Sequence, residues 1–386
     1  MKKISFFAGL AFFLFACQNN PSAPQTHSNE ETDHADTTIV DTSSFFLQKY
    51  QGTIGDRPAT MTLTDWGDGF LSGWLALGDS PVRLLLSGEM TGDHQFEISA
   101  LAGEEEIAQM PGTMHSQSHL SGQWLPASGA APTPFDMQAM PQIPDDNWSG
   151  KWFLNEIWDG GLLMTGHYSE DSLDFALSIF RGGHTGIAEG RAAIQGTKAV
   201  FFTNEFDPEP GCRLLFEHHG DYIEIIQEGS NFGCGFGMRA SANGKYERTK
   251  KVIHATLDYD PSGEKIFKNQ AQHDAFKKLV GEEMYDLFAY NMQVVEPAEI
   301  LPGDDFATRA VEGFVQGMLA YNEAIIMRDD AGKFWAATID LDHKTGEMVV
   351  RYFTNDPARK DRLPATIEEW RDNFLDYRVV FENPDL

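Results

Sequence analysis

Two carboxylates close together in the chain, Glu156 and Asp159, flank an aromatic residue, Trp158. Glycoside hydrolases use a pair of carboxyl groups as acid and as base or nucleophile. Because the chain holds 58 acidic residues, such a pair also arises by composition alone. Hydrolysis of a cell-wall or glycan polymer is therefore one alternative for the function, and it requires carboxylates that converge across a cleft.

Other residues that could bind metal ions have simpler interpretations. The segment 258–263 begins like a calcium-binding loop, but Asn269 stands where a bidentate Glu would close that loop. An ordinary turn explains this segment, and a hairpin turn explains Asp340, Asp342 and His343. In the segment 258–263, the residues that follow the calcium-loop spacing are Asp258, Asp260, Ser262 and Gly263. We predict no metal ion and no cofactor.

The histidines and the common catalytic motifs give the same result. His115 and His119 are four residues apart, a spacing that directs two imidazoles to one metal on a helix but not on a strand or loop. His218 and His219 point to opposite faces if they lie on a strand. The sequence holds no Gly-x-Ser-x-Gly elbow, His-Glu-x-x-His pair or phosphate-binding glycine loop. We predict no catalytic residue.

The first 17 residues specify a location. Two lysines precede an apolar run, 4–15, which is shorter than the roughly 20 residues that span a membrane. The run ends in Leu14, Phe15, Ala16 and Cys17. A basic start, a short apolar run and a small residue before the cleavage point are typical of a signal peptide. The segment resembles the lipobox of bacterial lipoproteins, which implies that residues 1–16 are removed and that Cys17 carries lipid on the outer or inner membrane, facing the periplasm or the surface.

Two further cysteines, Cys212 and Cys234, remain after Cys17. Two remaining cysteines, an even number, in an exported protein indicate one disulfide. A redox or metal role would need a closer pair or more ligands. We therefore predict a structural bridge, worth roughly 3 kcal/mol in the chain-entropy model.

The elements that position these residues follow from the pattern along the chain. Residues 17–44 lack Lys and Arg and are rich in Asn, Pro, Ser, Thr and acids, which predicts a disordered tether. Period-two alternation with Gly and Asp turns predicts antiparallel strands over 45–145 and again over 146–250. The expected strands are 59–66, 70–77, 82–86, 94–100 and 120–125, then 162–168, 173–180, 185–193, 199–203, 212–218, 222–227 and 236–242. The fold class is therefore mostly β, with two antiparallel β-meander modules that are barrel-like or sandwich-like.

The last part, 251–386, has a mixed pattern that predicts a smaller α+β module. Helical spacing over 268–290 is broken by Gly281. Thr366 and Glu369 form a capping-box pattern at the start of another helix. Between these helices we expect strands over 323–328, 334–340 and 347–354, and we expect a last strand over 377–381.

Part of the second module carries a second resemblance. Cys234 is followed by Gly235, Phe236 and Gly237, then by Gly244, Lys245 and Tyr246, with Cys212 upstream. Residues 199–248 thus resemble the β-modules of envelope lipoproteins and of membrane-bound lysozyme inhibitors. That inhibitor family presents a Ser-Gly pair before a Tyr on an exposed loop, whereas Asn243 and Gly244 precede Lys245 here. The resemblance implies inhibition of a basic cell-wall lytic enzyme.

The formal net charge of −29 limits the partners. Nucleic acid is not expected, because nothing would neutralise its phosphates. The charge either maintains solubility or attracts a cationic ligand. The leading hypothesis is a membrane-anchored envelope lipoprotein that acts as a non-catalytic binding module for a protein or glycan. Lysozyme inhibition and polymer hydrolysis are the alternatives.

Overall fold

The computed structural model describes residues 38–39 and 45–382, except 68, 79, 81, 145–146, 157–158, 207–210, 252, 254–255, 258–265 and 319–320. The described chain contains two closed antiparallel barrels and then a smaller module built on a six-stranded sheet with helices. This confirms the predicted fold class and decides for barrels over sandwiches. Cys17, Trp158 and the segment 258–263 lie outside the described residues.

The first barrel is an eight-stranded meander that follows a two-residue strand, β1 (Thr38–Ile39). Its strands are β2 (Phe46–Ile54), β3 (Arg57–Asp65), β4 (Phe70–Leu77), β5 (Arg83–Met90), β6 (Gln95–Ala102), β7 (Glu105–Ser116), β8 (His119–Pro126) and β9 (Thr133–Ala139). Each strand pairs with the next, and β2 pairs with β9 to close the barrel. Gly52 permits this closure, because a Cβ there would collide with the carbonyl oxygen of Asp136 on β9.

Alternate side chains of these strands fill the barrel interior, as period-two patterning requires. The largest include Tyr50, Met61, Phe96, Met110 and Phe135. The strands β2, β7 and β9 were not predicted. Pro111 and Pro134 lie within β7 and β9 and obscured the pattern, yet a proline can occupy a strand where no ladder N–H is needed.

The second barrel repeats this architecture, and β10 pairs with its last strand to close it. Its strands are β10 (Gly150–Asn155), β11 (Asp159–Ser169), β12 (Ser172–Arg181), β13 (His184–Gln195), β14 (Lys198–Thr203), β15 (Cys212–His218), β16 (Tyr222–Gly229) and β17 (Gly244–Glu247). A further two-residue strand, β18 (Lys250–Lys251), pairs with β1. Thus Thr38 and Ile39, inside the segment predicted to be a tether, form backbone pairs in this structure.

The predicted strand 236–242 is wrong, because this segment is irregular. Cys234 is bonded to Cys212, and Gly235 adopts a positive φ of 76° that turns the chain. Phe236 then enters the core and lies against Gly186 on β13. The segment therefore packs over the barrel wall, and the closing strand β17 begins only at Gly244.

A buried contact joins the two barrels. Leu47 and Trp66 of the first barrel pack with Met164 and Ala176 of the second. Beside them, the buried Asp174 carboxylate accepts a hydrogen bond from Arg191 Nε at 2.6 Å. Asp174 also lies 3.4 Å from the ammonium of Lys49 in the first barrel. Burial lowers the pKa of Lys49, although Asp174 opposes this shift.

The C-terminal module places helices on both faces of its sheet. Its strands are β19 (Val294–Pro297), β20 (Arg309–Phe314), β21 (Glu323–Arg328), β22 (Phe334–Asp342), β23 (Glu347–Thr354) and β24 (Arg378–Glu382), and its helices are α1 (Gln270–Val280), α2 (Glu282–Asn291) and α3 (Ala365–Arg371). Neighbouring strands are antiparallel except β23 and β24, which are parallel. Short 3₁₀ helices lie at Phe232–Cys234, Pro357–Arg359 and Asp372–Phe374. No helix in the described part of the chain is long and apolar enough to cross a membrane.

The helical predictions for this module are correct in position and wrong in one detail. Gly281 ends α1 with a φ of 81°, as expected for a break between two helices. The residue before α3 is Pro364, which offers no capping side chain, and the Asp304 carboxylate accepts a hydrogen bond from the backbone N–H of Thr366 at 2.7 Å in its place. Instead of capping, the Thr366 hydroxyl accepts a hydrogen bond from the backbone N–H of Leu301 at 3.0 Å. The capping-box prediction is therefore wrong, although the helix it marked is present.

A glycine hairpin of the second barrel packs on the C-terminal module. The backbone N–H of Gly183, between β12 and β13, donates to the carbonyl of Gln316 at 3.0 Å. A Cβ at Gly182 would lie 2.5 Å from the same carbonyl oxygen. The His184 ring lies against Gly317. The absence of side chains at positions 182 and 183 thus allows the two modules to approach closely.

Candidate functional site

The predicted disulfide marks one end of the second barrel. Cys212, the first residue of β15, is bonded to Cys234 in a 3₁₀ helix, with a Cα–Cα distance of 4.7 Å. Both half-cystines are buried in the barrel core. The bridge therefore fixes the segment after β16 to the barrel wall, which supports a structural role for the two cysteines.

Four exposed apolar side chains lie near this bridge, either close to Cys234 along the chain or against the glycines next to the two cysteines. Phe202, Phe206, Phe232 and Met238 are 59%, 60%, 62% and 61% exposed, respectively. We call these four residues the apolar patch. Single exposed apolar side chains are normal on a soluble protein, whereas several that lie together are typical of a site that binds another macromolecule.

Glycines hold two rings of the patch in place. The Phe206 ring lies over Gly235, where an added Cβ would approach it to 2.9 Å. The Phe202 ring lies beside Gly211, at 3.2 Å from the position of a Cβ. Since both glycines adjoin the disulfide in sequence, the bridge and the patch form one local structure.

The backbone beside Met238 is strained. Among the described residues other than glycine, Arg239 alone has a positive φ, at 62°. A long side chain in this conformation costs free energy, and such strain concentrates at functional sites. Arg213 of β15, next to Cys212, pairs with Glu228 of the neighbouring strand β16 at 2.6 Å.

The apolar patch was not predicted from the sequence, although one signal for it was present. Phe201 and Phe202 are consecutive in β14, and successive side chains of a strand face opposite sides. Phe201 packs against the barrel core, so Phe202 must point outward. No comparable signal exists for Phe206 and Phe232, which lie outside strands.

The carboxylates considered for glycoside hydrolysis bind the same cation. Arg181 Nη1 donates to Glu156 Oε2 at 2.5 Å and to Asp159 Oδ2 at 2.8 Å. The guanidinium also donates to the carbonyls of Ser241 and Asn243. Burial opposes its charge, but the bonds and charges of Asp159 and Glu156 raise the pKa of Arg181 overall.

This arrangement gives the acidic pair a structural task. The second oxygen of Asp159 accepts a hydrogen bond from Gly182 N at 3.1 Å, which fixes the hairpin that packs on the C-terminal module. Both carboxylates are thus directed at Arg181 rather than at opposite sides of a cleft that could hold a sugar.

The histidines occupy different surroundings. The His115 and His119 rings stack with centroids 4.7 Å apart, and His119 Nε2 lies 2.9 Å from Asp136 Oδ2. The hydrogen bond with His119 lowers the pKa of Asp136. His218 packs against Trp148 and Trp152. The next residue, His219, faces the other way.

The second histidine of that pair, His219, belongs to a cluster that the sequence analysis did not identify. Its ring is exposed and stacks on Tyr222, with centroids 4.6 Å apart. Its Nε2 atom lies 3.9 Å from Glu217 and 3.7 Å from Glu224. The pairing of β15 with β16 places these two glutamates opposite each other. This register could not be read from the sequence, so the cluster could not be predicted.

The acidic residues near 340 border a cleft of about 470 Å³ in the C-terminal module. Arg351, one of the residues that line it, donates to Asp340 at 2.6 Å and to Glu382 at 2.5 Å. Asp342 accepts a hydrogen bond from the backbone N–H of Lys344 and so stabilises the hairpin turn. These contacts agree with the interpretation of Asp340 and Asp342 as residues beside a turn.

The expected resemblance of residues 199–248 to lysozyme inhibitors implies an exposed loop near Tyr246. Tyr246, which would follow the exposed inhibitory loop, is fully buried in the barrel. Asn243 Oδ1 accepts a hydrogen bond from the backbone of Gln227, which fixes the residue before Gly244. Comparisons with protein-family models, with curated proteins and with solved structures find no match to this chain.

Proposed function

We propose that this chain is a membrane-anchored envelope lipoprotein that binds a protein partner, without catalysis, through the apolar patch. The observation that carries the proposal is the exposure of Phe202, Phe206, Phe232 and Met238 near the disulfide. Aromatic residues and Met are enriched where protein surfaces bind one another. The bridge limits the entropy that the patch would lose on binding.

The composition of the patch favours a protein over a glycan. Its members are phenylalanines and a methionine, without the Tyr or Trp polar atoms that would hydrogen-bond to sugar hydroxyls. Binding is also preferred over hydrolysis, because Glu156 and Asp159 are already engaged by Arg181. The membrane anchor in this proposal is supported by the sequence alone, through the lipobox that ends at Cys17.

Site-specific photocrosslinking in the native envelope tests the binding surface. A photoreactive residue at position 232 is expected to capture one defined protein, and the Phe206→Ser variant is expected to reduce this product at least tenfold. A photoreactive residue at position 82 is the control, because Val82 is equally exposed but lies on the first barrel. Equal crosslinking at both positions would contradict the proposal.

Membrane fractionation tests the anchor separately. The wild-type protein is expected in the membrane fraction with a lipid-modified N-terminus at Cys17, because two or more acyl chains give stable anchoring. The Cys17→Ser variant should lose the lipid and leave that fraction. An unmodified N-terminus in mass spectrometry would overturn the anchor while leaving the binding surface to be judged by crosslinking.

A further inference from the structure

The hairpin formed by β15 and β16 brings two negative side chains together at its end. Glu217 and Glu224 are directly opposite in the antiparallel register. Like charges in this position destabilise a strand pair. Each glutamate also has a lysine opposite it on its other neighbouring strand. Lys198 of β14 is opposite Glu217, and Lys245 of β17 is opposite Glu224.

His219 completes a set of three ligand atoms. Its Nε2 is 3.9 Å from Glu217 Oε2 and 3.7 Å from Glu224 Oε2, and all three atoms lie within 4.8 Å of one another. These separations exceed a hydrogen bond, which spans about 2.7–3.2 Å. Lys198 contacts the other oxygen of Glu217, Oε1, at 2.5 Å, so Oε2 faces the histidine. The three atoms therefore converge on a common point.

The separations are somewhat longer than those between the ligands of a bound metal ion. Zinc binds nitrogen and carboxylate oxygen at about 2.0–2.2 Å in tetrahedral geometry, which separates its ligands by about 3.3–3.5 Å. Small side-chain rotations would bring the three atoms to that distance. The Tyr222 ring stacks on the imidazole, and the Lys245 ammonium lies over that ring at 4.4 Å from its centroid, so the histidine is already oriented.

We propose that Glu217, His219 and Glu224 bind one divalent transition-metal ion of the zinc type, with water at the remaining position. An imidazole ligand favours zinc, cobalt, nickel or copper over calcium or magnesium. The net charge of −29 raises the concentration of cations near the surface. The site lies on an exposed hairpin, so a hydrated ion reaches it without rearrangement of the barrel.

Calorimetric titration of the purified full-length protein with Zn²⁺ at neutral pH tests the site. We expect one saturable site in the micromolar range that is weakened more than tenfold in His219→Ala and severalfold in Glu224→Gln. The matched control is His119→Ala, which removes another exposed histidine beside a carboxylate, Asp136. This control should retain the wild-type affinity.

The melting temperature gives an independent measure. Zn²⁺ at a hundred times its dissociation constant is expected to raise it in the wild type, since a ligand that binds only the folded state stabilises that state. The same addition should leave His219→Ala unchanged, while the metal-free variant melts like the metal-free wild type. Equal Zn²⁺ affinity in the wild type and His219→Ala, or saturation only at millimolar Zn²⁺, would overturn the proposal.

Discussion

Glu189 and Glu247 both belong to the second barrel, yet their surroundings shift the pKa of the two carboxyls in opposite directions. Hydrogen bonds from Lys251 and Lys245 lower the pKa of Glu247 to about 2. Burial raises the pKa of Glu189, and the hydrogen bond that it accepts from Ser72 only partly offsets this effect. Their contributions to stability therefore depend on pH with opposite signs.

The Glu247→Gln variant is expected to weaken the barrel at neutral pH. A lowered pKa in the folded state adds stability above the ordinary value of 4.5, and this stability is lost as the pH falls toward about 2. We expect a loss on the order of 1 kcal/mol at pH 7, after solvent screening, and a smaller acid dependence below pH 4.5. Urea unfolding at several pH values measures both. The exposed Glu170→Gln is the control, and identical pH profiles for wild type and Glu247→Gln would contradict the expectation.

The Glu189→Gln variant is expected to have the opposite effect. A raised pKa means that the stability due to Glu189 is full below 4.5 and is lost as the pH rises through the folded value. Gln retains an oxygen that can accept from the Ser72 hydroxyl, now at 2.7 Å, without a buried charge. We expect a melting temperature a few degrees above the wild type at pH 7, and no gain near pH 4. A lower melting temperature at pH 7 would show that the ionised carboxylate stabilises the contact between the barrels.

One hairpin of the second barrel contacts the C-terminal module. The hairpin between β12 and β13 contains Gly182 at a φ of 56°, and Arg181 before it is bound by Glu156 and Asp159. One turn of chain therefore joins the ion-pair network of the second barrel to the loop around Gln316. We therefore expect the conformation of this hairpin to influence how the second barrel and the C-terminal module pack together.

Gly182→Ala is expected to separate these two modules without unfolding either. The added Cβ would lie 2.5 Å from the Gln316 carbonyl oxygen and would occupy a left-handed conformation that alanine avoids. The variant should be cleaved faster by protease between residues 250 and 270 and should show two thermal transitions where the wild type shows one. Gly196→Ala also replaces a glycine of positive φ in a hairpin, but nothing lies near its Cβ. If both variants behave alike, strain rather than the lost contact explains the effect.

The alternation of residues was sufficient to predict that this chain forms two β modules, because side chains facing a barrel interior must repeat with period two. It did not predict β9, since Pro134 is a normal signal for a loop, nor the irregular course after Cys234. The pairing of Cys212 with Cys234 could be predicted from count alone. The convergence of Glu217 and Glu224 could not, because it depends on the register of β15 and β16.

The residues that connect the modules are different from the residues of the two proposed binding sites. The apolar patch and the Glu217–His219–Glu224 cluster both lie on the second barrel, which contacts the first barrel through Asp174 and the C-terminal module through Gly183. The proposed lipid lies at the other end of the sequence, at Cys17. A partner could therefore bind the second barrel while the chain remains anchored.

The net charge of −29 should attract any basic protein, whether or not this chain has a specific binding site for it. Binding of a basic enzyme therefore has to be separated from inhibition of that enzyme. With a c-type lysozyme we expect association at low salt that disappears as the Debye length shortens from about 30 Å to about 8 Å, without inhibition of the enzyme. This follows because the patch is apolar and Tyr246, which would mark an inhibitory loop, is buried. The Phe206→Ser variant should associate equally well at low salt. Saturable inhibition at physiological salt that is lost in this variant would instead identify the patch as an inhibitory surface and the acidic field as its means of attracting the enzyme.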